Sequence, residues 1–148
     1  MYWTKCLPAL LALLCCGAYA EDRRPPNILF FLVDDQRNDT LGCAGHPVVQ
    51  TPHIDRLAEN GVRFTNAYVT TSICAASRAS LLTGLRESAH GYTFGKTPVS
   101  KSHMEASYPT LLRNAGYRTG FIGKFGVGIA EQQPADVFDV FVPINRNP

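Results

Sequence analysis

Two groups of side chains in this sequence have types and spacings that could do chemistry together. The first is Cys74 and Arg78, four residues apart in the run Cys74-Ala-Ala-Ser-Arg78-Ala-Ser-Leu-Leu-Thr-Gly84. The run predicts a helix with Leu81 and Leu82 inward and Gly84 as its stop. At a helix start the unpaired N–H groups and the dipole favour negative charge. That position lowers a thiol pKa and cradles an anion. Arg78, one turn on and on the same face, can bring a planar fork to an oxyanion held there. Nucleophilic attack on an oxyanionic group is the chemistry this supports. Two plainer uses of Cys74 stand beside it: a buried inert thiol, or a disulfide to Cys43, the only other cysteine after residue 20.

The second group is Asp34-Asp35. It follows Asn27-Ile-Leu-Phe-Phe-Leu-Val33, apolar at every position after the first. Such a run suits a central strand buried on both faces. In open α/β sheets functional groups gather at the carboxyl ends of strands, which puts the aspartates where a site belongs. A polar strand exit is the alternative use of the pair.

The elements that must position these groups alternate along the chain. Thr51-Pro52 starts a helix with Ile54, Leu57 and Ala58 as its inner stripe and Gly61 as its stop. Val62–Val69 reads as a strand leading into the Cys74 helix. Leu85–Ser107 is a long polar loop, a candidate substrate wall in which His90, Tyr92, Lys96 and His103 offer polar contacts or ordinary surface. Tyr108-Pro109 starts a further helix closed by Gly116. Arg118–Lys124 reads as strand then loop, and Val137–Val142 as a last strand. Lys124 does not belong to a P-loop, because the glycine spacing differs and Phe125 stands where Ser or Thr is needed. The alternation argues an α/β fold with a parallel sheet.

Cys74-Ala-Ala-Ser-Arg78 with its Leu-Thr-Gly84 ending resembles the sulfatase signature, Cys-x-Pro/Ala-x-Arg. Thr51-Pro-His-Ile-Asp-Arg-Leu-Ala58 and Gly116-Tyr-Arg-Thr-Gly-Phe-Ile-Gly-Lys124 resemble two further segments of that family. The resemblance runs close to the heparan N-sulfatase and arylsulfatase-like members, and covers residues 27–142, the N-terminal portion of a sulfatase. It implies an alkaline-phosphatase-like parallel sheet. It also implies that a maturation enzyme oxidises Cys74 to formylglycine, with Arg78 holding the modified residue. Asp34, Asp35 and the modified Cys74 are implied ligands of a divalent cation, and oxygen donors favour Ca²⁺, then Mg²⁺, over a soft metal. Lys124 is implied to sit beside the sulfate. In the implied mechanism one hydroxyl of the hydrated aldehyde attacks sulfur and the alcohol or amine leaves. The second hydroxyl then expels sulfate and restores the aldehyde.

Three departures qualify the match. Ala76 stands where Pro is commoner. Gly126 stands where the family has a histidine two residues after the lysine, and His90 is the available substitute. The later Asp-Asn pair that completes the family's metal site is absent, so residues 1–148 alone are expected to show no appreciable turnover.

Length and composition fit one domain. Lys5, an apolar run from Leu7 to Cys16 and a small-x-small site at Ala18-Tyr-Ala20 predict a signal peptide over 1–20. Residues 21–148 are then the incomplete N-terminal part of a sulfatase catalytic domain. The apolar run is too short for a membrane span. Export follows, to a periplasm, the outside or a lysosome. The 14 basic and 12 acidic residues, one of the basic ones in the leader, describe no nucleic-acid surface. A sulfuric-ester or sulfamate hydrolase acting on sulfated carbohydrate is the leading reading. A phosphate or phosphonate ester hydrolase of the same superfamily, or an inactive sulfatase remnant, are the alternatives.

Overall fold

The computed structural model describes residues 24–93 and 97–144. The predicted leader over 1–20 and Lys96 lie outside the described residues. The chain divides into two units, residues 1–33 and 34–148.

In the first unit the apolar run Ile28–Val33 is not a strand: its side chains are exposed, Phe31 to 77 %, and no ladder includes it. The physical reason is that a strand exists only through its partners. A run apolar on both faces needs neighbours on both edges and cover above and below.

The second unit contains the helices α1 (Pro52–Asn60), α2 (Cys74–Thr83), α3 (Glu87–His90), α4 (Lys101–Glu105), α5 (Tyr108–Asn114) and α6 (Pro134–Val137), and the strands β1 (Gly120–Gly123) and β2 (Val140–Pro143). The strands pair in parallel, Phe121 against Phe141, through a crossover that contains α6. The loop expected over 85–107 thus carries two short helices, and the last strand begins at Val140, after α6. Residues 62–69 do not form the expected strand; Val62, Phe64, Tyr68 and Val69 are exposed. Among the described residues no helix is long and apolar enough to cross a membrane.

The core follows from small residues on α2. Ala75, Ala76 and Ala79 are buried, so neighbours approach the helix closely, and α3, α4 and α5 all pack on it. Leu82 faces inward but Leu81 is 40 % exposed, because consecutive residues on a helix point about 100° apart. Gly84 ends the helix at φ 70, its N–H donating to the Ser80 carbonyl at 2.8 Å. This is the left-handed cap that glycine adopts without a Cβ penalty. Beyond α2 the core is aromatic. Phe121, Phe125, Phe138 and Phe141 form one cluster, with Phe121 edge-on to Phe125 at 5.2 Å and stacked on Phe141 at 5.6 Å. These separations lie in the favourable range for ring pairs. The cluster fixes β1, and therefore Lys124 at its carboxyl end, against β2.

α1 is placed by polar contacts, since its apolar stripe is uncovered and Leu57 is 70 % exposed. The Thr51 hydroxyl does not cap the helix as expected but donates to Asp55 Oδ1 at 2.7 Å. The Cys43 N–H donates to the same oxygen at 2.8 Å. Together they tie α1 to the 3-10 turn Gly42–Ala44.

Candidate functional site

Cys74 is the first residue of α2, half-buried, with a free thiol. No side chain caps this end: the preceding Ile73 is extended and has no polar atom to offer. First-turn N–H groups are therefore left for an outside acceptor. Ala76, at the third helical position and fully buried, needs no N–H partner within the helix. Ala or Pro suits the backbone there equally. Cys43 is also a free thiol, so the disulfide alternative is not realised.

Arg78 and Lys124 converge on one carboxylate. Arg78 is 8 % exposed; its Nη2 donates to Asp34 Oδ1 at 3.1 Å and its Nη1 to the Lys124 carbonyl at 2.5 Å. Lys124 Nζ donates to the other oxygen, Asp34 Oδ2, at 2.6 Å. The helix that bears Cys74, the end of β1 and the residue after the apolar run 28–33 thus meet in a clasp of two cations and an anion. The Lys124 ammonium, then the Arg78 guanidinium, hold the Asp34 carboxyl below the usual carboxylate range. Such a clasp keeps two positive groups together beside the helix that begins with Cys74, an arrangement suited to an oxyanion.

Asp35 stands outside these contacts, exposed and at φ 57, a left-handed conformation that Asp tolerates better than most residues. Gly126, where the family's histidine would stand, has φ 66. A Cβ built there would lie 3.4 Å from Arg78 Cδ and 3.9 Å from Lys124 Cε. Any side chain at 126 would be strained in backbone, although its Cβ would meet the stems of both cations only at ordinary van der Waals distance.

The histidine suggested as a substitute is elsewhere. His90 is buried at the end of α3; its Nδ1 accepts the Tyr92 N–H and its Nε2 meets Ser80 Oγ, both at 3.0 Å. With both nitrogens used, it does not fill the place open at Gly126. Tyr92 is buried too, and His103 is half-buried on α4, so neither forms an exposed substrate wall. A histidine two residues before a glycine-turned tyrosine carries no signature by which sequence reasoning could have found this contact.

Among the described residues no three or more His, Cys, Asp or Glu side chains gather at ligand spacing. In donor chemistry the Asp34-Asp35 pair fits a hard cation, which takes carboxylate oxygens. In number it supplies only a part of the six to eight oxygens Ca²⁺ takes.

The lowered carboxyls set an acid limit. Asp34, Asp55 (through Thr51), Glu87 (through Thr71) and Asp139 (through Thr119) all titrate below their ordinary values. A carboxyl depressed on folding contributes stability above its unfolded pKa, lost as pH falls through the folded one. His90, lowered mainly by burial, must stay neutral and withdraws stability once pH drops below the ordinary histidine value. Melting temperature should therefore begin to fall below about pH 6.5 and fall steeply below about pH 4. A melt series by circular dichroism checks this; a midpoint flat down to about pH 3 would contradict it.

Comparisons with known proteins give the family. The family described as Sulfatase matches residues 26–146. An N-acetylglucosamine-6-O-sulfatase of Bacteroides thetaiotaomicron is 34% identical over 134 residues, 90% of this chain and 24% of the relative. Arylsulfatase A of Homo sapiens is 40% identical over 124 residues, 81% of this chain and 24% of the relative. A solved structure of a protein in complex with its substrate D-glucosamine-2-N,6-O-disulfate superposes with a TM-score of 0.69 at 36% identity, over 80% of this chain and 23% of that one. The chain spans about a quarter of the length of the curated relatives it matches.

Proposed function

The chain belongs to the sulfatase family, and from that premise we propose that it carries the nucleophile end of a sulfuric-ester or sulfamate hydrolase acting on sulfated carbohydrate. The observation that carries the reading is the clasp of Arg78 and Lys124 on Asp34, on the helix that begins with Cys74. Two relatives named as hexosamine-6-O-sulfatases and a neighbour bound to a sulfated glucosamine support the substrate class.

Cys74, converted to formylglycine by a maturation enzyme, would supply the attacking oxygen. The uncapped first-turn N–H groups of α2 would orient the sulfate oxygens. Lys124 Nζ would offset charge on them as it develops, and Arg78 would hold the modified side chain one turn away. Asp34, Asp35 and the modified residue 74 would hold a divalent cation, Ca²⁺ ahead of Mg²⁺, which when bound supplies Lewis-acid stabilisation of oxyanion charge. Asp34 would then serve two roles, as anchor of the cations and as ligand. The signal peptide expected over 1–20 would send the protein out of the cytosol, to where polysaccharide sulfates occur.

The test is turnover of paired aryl sulfate and aryl phosphate by the full-length protein expressed with a formylglycine-generating enzyme. The sulfate is expected to be the preferred substrate by at least about 100-fold in kcat/KM, the loss that one misplaced charge contact can cause. Equal rates, or preference for the phosphate, would defeat the sulfatase reading.

A further inference from the structure

Lys124 is carried by a loop in which Gly123 (φ 116) and Gly126 (φ 66) are left-handed. Phe125 and Val127 bury their side chains in the core, and the Val99 N–H donates to the Gly128 carbonyl at 2.9 Å. Side-chain tethers from outside the loop add to this anchoring in setting where the ammonium sits. One tether is the Arg78 guanidinium on the Lys124 carbonyl. The other end of the loop is held by Tyr92. The Gly128 N–H donates to Tyr92 Oη at 3.0 Å, and the Gly126 carbonyl lies 3.5 Å from the same hydroxyl, a long contact. A Cβ on Gly128 would lie 3.6 Å from Tyr92 Cε2, so the loop packs directly on the ring.

Tyr92 is itself fixed. Its N–H donates to His90 Nδ1, which requires that nitrogen to be unprotonated, so Nε2 carries the proton and donates it to Ser80 Oγ. Ser80 lies on α2, the helix that bears Cys74 and Arg78. Glu87 and His103 are the titratable groups that act on His90 from α3 and α4. The chain Ser80–His90–Tyr92–Gly128 thus spans from the helix to the lysine loop by buried and part-buried hydrogen bonds.

We propose that His90 and Tyr92 form a strut that sets the Lys124 loop against α2, which makes Tyr92 a positioning residue for anion binding. The proposal rests on reading Lys124 as an anion ligand. Its removal acts through Lys124 alone, and that distinguishes it from a residue that merely stabilises the fold.

The experiment is a double-mutant cycle on the full chain, with inorganic sulfate as probe and affinity read by calorimetry. Tyr92→Phe, which deletes only the hydroxyl, is expected to weaken sulfate binding about 3- to 10-fold, the range of one buried hydrogen bond. In a Lys124→Ala background the same change is expected to do nothing further, within about 1.5-fold. Equal losses in both backgrounds, or no loss with lysine present, would overturn the strut while leaving Lys124 as ligand. If sulfate does not bind, or Lys124→Ala binds it as the parent does, the ligand reading fails and the strut falls with it. Should Tyr92→Phe not fold, Ser80→Ala loosens the strut at its helix end, and the same cycle decides by the same criterion.

Discussion

Replacing Cys74 by alanine is expected to lower turnover of an aryl sulfate by the full-length protein by roughly 10⁴-fold or more. Loss of a covalent nucleophile is among the most damaging single changes an active site suffers, because what remains is binding and electrostatics without the attacking atom. The fold should hardly notice. Cys74 is half-buried at a helix end that alanine occupies comfortably, and its thiol is engaged in no disulfide. The measurement pairs rate with chemistry. Peptide mapping of the parent, made with its maturation enzyme, should find an aldehyde at residue 74, and the variant should have none. A variant that keeps more than about a tenth of the parental rate would show that residue 74 is not the nucleophile.

Arg78→Lys is expected to cost about 100-fold in kcat although the charge is kept. The guanidinium reaches two acceptors at once, a backbone carbonyl through Nη1 and Asp34 through Nη2. A single ammonium on a shorter, unforked stem cannot span both. The Lys124 carbonyl then loses its tether to α2, and a shift on the order of 1 Å in a reacting group can cost ~100-fold. Steady-state kinetics on the full-length protein checks this. A kcat within about threefold of the parent would mean that the fork is dispensable and a point charge suffices.

What the sequence disclosed and what it withheld divide along physical lines. The end of α2 was legible because it carries a local signal: Gly84 adopts the left-handed cap its position implies, whereas the start of the helix has no side-chain cap. Lys124 at the end of a strand was legible for the same reason, in a short apolar run bounded by glycines. Ile28–Val33 and Val62–Val69 read as strands from apolar content alone, but content is only a capacity to pair, and neither run is in a ladder. The inner stripe of α1 failed likewise, for want of anything to cover Ile54 and Leu57. The Asp34 clasp was withheld for a different reason. Two motifs can each announce a charged residue without saying that both charges will grip the same carboxylate. His90 was misplaced because a histidine in a polar loop looks like surface, and only the packing of α3 on α2 buries it to 4 % exposure.

The clasp has a further consequence in the statistics of the chain. Asp34 reaches Arg78 across 44 residues and Lys124 across 90. The entropy lost in closing a flexible loop grows only with the logarithm of its length, and doubling the loop adds about 0.6 kcal/mol. The second grip therefore demands scarcely more ordering than the first, even before the first is counted as already shortening the path. Residues 61–69, exposed throughout and without a ladder, lie inside the shorter of these closures. Insertions or deletions there would change the closure entropy by tenths of a kcal/mol. The intervening polymer is thus free to vary in length while the three charged groups keep their mutual geometry.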